Sequence, residues 1–167
     1  QHMWRLGTPI IAAVNGWAMG GGFWYQLAAD ITIASDKAVF AQPEVRHISN
    51  TSFLLTALCG WKHANRWGLT GDHFDAQEAL RIGMVNEVVP HDQLLDRANE
   101  LAQMLCKNAP FAMFGTKMGV LRGLGLRTQR RVGWERDVAR HGHRLALLAL
   151  RQLGDCPRAG SRADVSH

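Results

Sequence analysis

The sequence predicts an α/β fold in which short strands alternate with helices before residue 51 and helices dominate after it. The apolar, β-branched residues 9–14 end at Asn15-Gly16, which is typical of a buried strand followed by a turn. A glycine cluster at residues 20–22 then leads into a stretch with helical spacing. Strands and helices that alternate at this pace are typical of α/β proteins.

The first elements follow directly from these patterns. We expect residues 9–14 to form the first strand and residues 20–29 to form a helix that begins at the glycine cluster. Residues 31–34 and 38–41 are short apolar runs that predict a second and a third strand.

Later elements are mainly helical. Apolar residues recur at three- and four-residue steps after residue 51, which predicts a helix with one buried face. Asp75 and Glu78 have the capping-box spacing, so a helix should begin there and end at Gly83. Residues 84–89 predict a last extended piece, and two amphipathic helices should follow Pro90. The first predicted buried face comprises Leu54, Leu55, Leu58, Trp61, Ala64 and Trp67, and that of the helix after Pro90 comprises Leu94, Leu95, Ala98, Leu101, Ala102 and Leu105.

The glycine cluster has two interpretations. Glycines let the backbone approach a ligand closely, and the first amides of a helix have no partners within that helix. Such a turn can therefore hold an anion or an oxyanion. Glycines between a strand and a helix also serve tight packing alone, and this alternative stays open at this point.

Several sequence blocks together carry a resemblance. They follow one another in the order and spacing of the enoyl-CoA hydratase/isomerase (crotonase) family, which the chain resembles over residues 4–120. The blocks are residues 10–16, 18–22, 29–31, 38–40, 42–44, 69–72, 75–79 and 83–90.

The resemblance implies a crotonase-like (ClpP/crotonase) β-β-α spiral, of which this chain looks like the C-terminal portion. The upstream section of such a spiral, with its first turns and first oxyanion amide, has no counterpart in this sequence. We therefore expect a partial spiral core with the glycine loop over residues 1–90, a helical region of the trimerisation type over 91–150, and a disordered tail over 151–167.

Crotonase-like enzymes bind acyl-CoA thioesters and stabilise an enolate with two backbone N–H groups. The resemblance assigns one of these amides to the middle glycine, Gly21, where no side chain blocks the approach. Gly20 and Gly22 would give the substrate access, and Ala18 and Met19 would line the entrance to the loop.

Two glutamates exchange protons in family hydratases, and this sequence matches only one of them. The matching residue is Glu44. The alternative is that Glu44 is only a surface acid at a turn. Trp24 occupies the place of the other glutamate, and tryptophan neither takes nor gives a proton at neutral pH. The loss argues against two-glutamate hydration and favours a single-glutamate enoyl-CoA isomerase, in which one carboxylate moves a proton between carbons.

His47 lies in the loop after Glu44, which differs from that of family hydratases. Its unperturbed pKa of about 6.5 suits a second acid or base, although such a histidine is more often a polar turn residue. The His and Cys residues lack metal-ligand spacing, and the glycine cluster lacks the dinucleotide fingerprint. The prediction is no metal and no cofactor other than coenzyme A as part of the substrate.

Composition excludes further classes of protein. Hydrophobic residues at 47% and charged ones at 20% are ordinary for a soluble domain. Residues 1–120 hold 9 basic and 10 acidic residues, whereas residues 121–167 hold 10 basic and 4 acidic ones. The positive charge of the chain therefore lies in residues 121–167, and no nucleic-acid partner is expected. The uncharged residues 6–29 are interrupted by Pro9, Asn15 and the glycines, which argues against a membrane span. Residues 1–5 do not resemble a signal peptide, and three scattered cysteines fit a reduced, cytoplasmic protein.

The combined prediction is an acyl-CoA enzyme of fatty-acid or related metabolism, either an enoyl-CoA hydratase (a lyase) or a single-glutamate enoyl-CoA isomerase. The resemblance implies a homotrimer or a hexamer that assembles through the C-terminal helices. The alternative is a catalytically impaired fragment or pseudoenzyme that binds acyl-CoA or only assembles, which Trp24 and the shortened core would favour.

Overall fold

The structure is a computed structural model, and it describes residues 2–46 and 52–123. The strands of this part are β1 (Ile11–Val14), β2 (Trp17–Met19), β3 (Ile31–Ser35), β4 (Val39–Ala41), β5 (Phe74–Asp75) and β6 (Glu87–Val89). Its α-helices are α1 (His2–Arg5), α2 (Gly21–Ala28), α3 (Ser52–Thr70), α4 (Ala76–Arg81), α5 (Leu94–Cys106) and α6 (Pro110–Gly123). Single turns of 3-10 helix span Pro43–Arg46 and His91–Gln93.

The strands form two three-stranded sheets. One has the order β1-β3-β6 and is entirely parallel, with Ile11 opposite Ile31 and Ile33 opposite Glu87. The other has the order β2-β4-β5, in which β2 and β4 are parallel and β5 is antiparallel to β4. The chain moves from the first sheet to the second at Asn15-Gly16, so β1 and β2 lie at the ends of their sheets among the described residues.

The α/β alternation predicted from the sequence is present, but one strand was not foreseen. The sequence pattern assigned residues 17–19 to the loop, whereas they form β2 and pair with Val39–Ala41. The strand is only three residues long and has glycine on either side, so it carries no alternation that a sequence pattern could reveal.

The core fills the space between α2, the second sheet, and α3. Phe23, Phe40 and Phe74 are almost fully buried, and the rings of Phe40 and Phe74 stack with their centroids 5.7 Å apart. Trp67 of α3 stacks on the same Phe74 ring at 4.6 Å. Burial of a large apolar side chain contributes about 1.5–3 kcal/mol, so this aromatic cluster anchors α2 and α3 to the sheet.

Helix α3 does not present the single buried face that the sequence predicted. Leu54, Leu55 and Ala64 are buried, but 41% of Leu58 and 62% of Trp61 are exposed. Gly60, whose φ is 76° and ψ is 160°, breaks the helix into two segments. The break changes the angular phase of the residues that follow it, which accounts for the exposure of Trp61 but not for that of Leu58, which precedes it.

Helix α4 begins as predicted, because the Asp75 carboxylate accepts a hydrogen bond from the Glu78 amide at 2.8 Å. In α5, Leu94 is buried whereas 69% of Leu95 is exposed, so the predicted stripe holds only in part. Within residues 2–46 and 52–123, no helix has both the length and the apolar character needed to cross a lipid bilayer. Residues 124–150 of the predicted segment 91–150, and the predicted tail over 151–167, lie outside the described residues.

Candidate active site

The pairing of β2 with β4 determines where the candidate site forms. Because the two strands are parallel, their carboxyl ends lie at the same edge of the sheet. β2 leads directly into Gly20, and β4 leads into Gln42 and the 3-10 turn that contains Glu44. In open α/β sheets, ligands bind outside the carboxyl ends of parallel strands. The register therefore brings the glycine loop and Glu44 together.

Gly20 has a backbone conformation that favours glycine. Its φ of 53° and ψ of −121° turn the chain from β2 into α2, and a side chain would be strained there. The first helical hydrogen bond runs from the Trp24 N–H to the Gly20 carbonyl, at 3.1 Å. The amides of Gly21, Gly22 and Phe23 precede that bond, so they are the N-terminal donors of α2.

The Glu44 side chain lies against this turn. A Cβ atom added at Gly20 would stand only 2.9 Å from Glu44 Oε1, which is closer than real Cβ contacts. The positive φ is the main reason for glycine at this position, because the Glu44 carboxylate ends a flexible side chain and can move away from an added Cβ atom. The space that the missing side chain leaves is the space that the glutamate uses.

One oxygen of Glu44 has no hydrogen-bond partner among the residues that the structure describes. This oxygen, Oε2, is buried, although the residue as a whole is half-buried. A buried carboxylate oxygen normally finds a donor, because desolvating it without one costs several kcal/mol. An unpartnered oxygen of this kind is typical of a group that interacts with a ligand or exchanges a proton.

The end of α3 supports the Glu44 turn from behind. Gly71 has a φ of 64°, and a Cβ there would come within 3.0 Å of Val45 Cγ1. A Cβ at Gly68 would lie 3.7 Å from Gln42 Oε1, and Gln42 itself is only 1% exposed. Sequence reasoning missed the supporting role of Gly68 and Gly71. Only the position of Gly71 directly after a predicted helix pointed to a special backbone conformation.

The remaining predicted site residues occupy different environments. Ala18 is 4% exposed and belongs to the core, Met19 is half-buried, and Gly22 is exposed on the first turn of α2. Trp24 is half-buried and packs against the core. It lies three residues after Gly21, and side chains at that spacing share a helix face. The predicted substrate contacts of these residues, and the catalytic roles of Gly21 and Glu44, stay predictions, and His47 lies outside the described residues.

The chemistry available at this edge is that of a carboxylate beside backbone donors. The amides before Trp24 can stabilise negative charge at the helix N-terminus, and the carboxylate can take up a proton. No group of three His, Cys, Asp or Glu side chains with metal-binding geometry occurs in the part of the chain that the structure describes.

Comparison with known proteins assigns the family. Residues 1–142 match the sequence profile described as Enoyl-CoA hydratase/isomerase. This chain belongs to that family. The resemblance seen in the sequence blocks is therefore confirmed.

Two curated relatives illustrate the range of reactions that the enoyl-CoA hydratase/isomerase family covers. The chain is 45% identical over 120 residues to a carnitinyl-CoA dehydratase of Citrobacter koseri, an alignment that covers 70% of the chain and 46% of the relative. It is 42% identical over 123 residues to a short-chain-enoyl-CoA hydratase of Clostridium acetobutylicum, which covers 71% of the chain and 47% of the relative. The chain spans about half the length of the curated relatives it matches.

Solved structures of the family confirm the predicted crotonase-like fold. A monofunctional enoyl CoA isomerase from M. smegmatis superposes with a TM-score of 0.70 at 38% identity, over 74% of this chain and 60% of that one. An enoyl-CoA hydratase from Mycobacterium tuberculosis superposes with a TM-score of 0.66 at 34% identity, over 89% and 63% of the two chains.

Proposed function

We propose that the chain carries the thioester site of an acyl-CoA enzyme of the enoyl-CoA hydratase/isomerase type. The observation that carries this proposal is the Glu44 carboxylate, which lies against Gly20 with its second oxygen buried and unpartnered within the described residues. The relatives support it, because they are named as a carnitinyl-CoA dehydratase, a short-chain-enoyl-CoA hydratase and an enoyl CoA isomerase, which all act on CoA thioesters. Coenzyme A enters as part of the substrate, and no other cofactor is proposed.

The proposed chemistry needs two groups. The Gly21 N–H donates a hydrogen bond to the thioester carbonyl oxygen as charge develops on it, as one donor of an oxyanion hole. The Glu44 carboxylate takes a proton from the α-carbon, and the electron pair left behind is delocalised onto that oxygen. Loss of one oxyanion donor typically lowers kcat by about 10²–10³-fold.

Isomerisation of a 3-enoyl-CoA to a 2-enoyl-CoA is the reaction that these residues support best. Glu44 removes the proton from C2 and returns it at C4, so a single carboxylate balances the reaction. Water activation would need a further base, and Trp24 stands three residues after Gly21 where its indole cannot supply one. Met19, Gly22 and Trp24 would line the acyl-thioester, with Ala18 supporting the loop from the core.

The experiment compares two reactions of the purified chain. We expect 3-enoyl-CoA to be converted faster than 2-enoyl-CoA is hydrated, as followed by absorbance of the enoyl-thioester. The Trp24→Glu variant should raise the hydration rate relative to isomerisation, because it places a second carboxylate one helical turn from Gly21. Faster hydration than isomerisation in the unmodified chain would contradict the isomerase proposal.

A second candidate function is an acyl-CoA-binding protein without turnover. Trp24 favours it, because the indole removes one proton-transfer group from the site. Isothermal titration with crotonyl-CoA and acetoacetyl-CoA separates the two candidates. Binding with turnover supports the enzyme, and binding without turnover supports the second candidate.

The proposal extends to assembly and location. We propose a cytoplasmic homotrimer or hexamer formed through the C-terminal helices. Large apolar side chains that α5 and α6 leave exposed support an association surface, namely Leu95, Met104, Phe111 and Val120. Light scattering of the purified chain tests the assembly, and a monomer at micromolar concentration would contradict it.

A further inference from the structure

A buried cation lies at the far end of α2 from the glycine loop. The Lys117 ammonium of α6 is 2.7 Å from Asp30 Oδ2, and the two side chains are only 5% and 18% exposed. Lys117 Nζ also donates to the carbonyl oxygens of Thr8, at 3.0 Å, and Met3, at 3.3 Å. One ammonium therefore satisfies three acceptors, two in the segment before β1 and one just after α2.

Asp30 connects this cation to the strand–loop–helix unit. Its Oδ2 accepts a hydrogen bond from the Ile10 amide at 2.7 Å, and its own amide donates to the Ile10 carbonyl at 3.0 Å. Ile10 directly precedes β1, and Asp30 lies just after the end of α2. The network thus joins the first residue before β1 to the first residues after α2, and the glycine loop lies between these two points.

Helix α2 connects the Lys117–Asp30–Ile10 network, called the anchor below, to the candidate site. α2 is eight residues long, so it behaves as a rigid rod of about 12 Å with the anchor at one end and the Gly21 amide at the other. The Trp4 indole donates to the Ala28 carbonyl at 3.1 Å and holds the same end of the rod. A small rotation at the anchored end would move the N-terminal amides relative to Glu44.

We propose that Lys117 is a positioning residue of the thioester site. It fixes the end of α2 through Asp30 and thereby sets the place of the Gly21 amide relative to the Glu44 carboxylate. A buried ion pair adds little net stability compared with apolar side chains of similar volume. The role of the Lys117–Asp30 pair is therefore better explained by the positions it fixes than by the free energy it contributes. This inference rests on the proposed function for its catalytic consequence.

The test uses the double variant Asp30→Asn/Lys117→Met, which avoids leaving one buried charge unpaired. The amide oxygen that replaces the carboxylate at position 30 can still accept the Ile10 N–H, so only the link to α6 is lost. Amide hydrogen exchange of residues 24–28 should become about tenfold faster or more, while α4, residues 76–81, should change less than about twofold. In an active chain, kcat should fall about tenfold while KM changes less than about twofold.

The single Asp30→Asn variant is the matched control, because Lys117 can still donate to the amide oxygen and to both carbonyls. Its exchange in residues 24–28 should lie between those of the unmodified chain and the double variant. Exchange that accelerates equally in α2 and α4, or that stays unchanged in α2, would overturn the inference. Unfolding of both variants would also overturn it, because Lys117 would then stabilise the whole fold. Absence of turnover in the unmodified chain would contradict the proposed function alone, since the exchange measurement does not depend on it.

Discussion

Glu44 lies in the turn after β4 and Glu87 is the first residue of β6, and the surroundings of the two glutamates differ. Glu87 accepts two hydrogen bonds from the Arg97 guanidinium, at 2.7 and 2.9 Å, and Arg97 also binds Glu100 at 3.0 Å. This pairing lowers the pKa of the Glu87 carboxyl below its usual value. Glu44 has one buried oxygen without a partner in the described part of the chain. A carboxylate whose oxygens are already bound serves the structure, whereas one that keeps an unbound oxygen is available to a substrate.

The largest expected effect comes from removing the unpaired carboxylate. Glu44→Gln should lower turnover of an enoyl-CoA by about 10²–10⁴-fold, because the amide cannot accept the proton. Glu87→Gln is the matched control, and its turnover should stay close to that of the unmodified chain. Steady-state assays of the two variants decide the comparison, and equal activities would remove the catalytic role from Glu44.

The second largest effect is expected from Gly20, which the Glu44 carboxylate lies against. Gly20→Ala puts a Cβ atom 2.9 Å from Glu44 Oε1 and imposes a positive φ on alanine. The strained backbone should destabilise the fold by roughly 1–3 kcal/mol, and displacement of the carboxylate should lower kcat as well. Urea denaturation and enzyme assays measure the two effects.

Gly16→Ala is the control for that substitution. Among the described residues, Gly16 has no neighbour within 4 Å of the added Cβ, and its backbone is outside the left-handed region. We expect its stability and its turnover to change far less than those of Gly20→Ala. If the two alanines behave alike, the Gly20–Glu44 contact does not position the carboxylate.

A smaller effect should arise at Glu87 and should depend on pH. Because the folded-state pKa of Glu87 is lowered by Arg97, the pair contributes stability above the unfolded-state pKa of about 4.3 and loses it as pH falls through the folded-state value. Glu87→Gln should therefore lower the urea midpoint slightly at pH 7 and less at pH 3. A difference in urea midpoint between Glu87→Gln and the unmodified chain that grows at acid pH would be inconsistent with this pairing.

The smallest effect should come from Cys59, which lies just before the break at Gly60. Burial raises the pKa of this thiol from 9.0 to about 11. The unfolded chain ionises first as pH rises, so stability should fall between about pH 9 and pH 11. Cys59→Ala should reduce that alkaline loss, as measured by urea midpoints at pH 8 and pH 10.5. If Cys59→Ala loses the same stability between pH 8 and pH 10.5 as the unmodified chain, other titrating groups cause that loss.

The sequence predicted the elements that carry the candidate site better than it predicted their geometry. The apolar run before Asn15, the glycine cluster and Gln42-Pro43-Glu44 are local patterns, and each was placed on or beside the expected element. The approach of Glu44 to Gly20 depends on the register between β2 and β4, and β2 was too short to be recognised. A register is a property of two strands, so a pattern within one segment cannot reveal it.

The misassigned Trp61 of α3 has a related cause. A period of 3.6 residues predicts a buried face only while the helix continues, and Gly60 interrupts it through a backbone angle that composition alone does not give. The Asp75 cap was predicted correctly, because that signal involves residues only three positions apart. The contact of Lys117 with Asp30 joins distant segments, and a lysine in an amphipathic helix is ordinarily exposed.

The short parallel register between β2 and β4 also determines which changes in chain length the site can accept. Gly20 is the first residue after β2 and Glu44 is the third after β4. The number of residues between each strand end and its functional group therefore fixes the position of that group. Inserting one residue between Ala41 and Glu44 would turn another side chain toward the glycine loop. Insertions in the exposed turn at residues 36–37 would leave both spacings unchanged. Evolution and protein engineering can therefore lengthen this unit in its turns, but not between a strand end and the group that it presents.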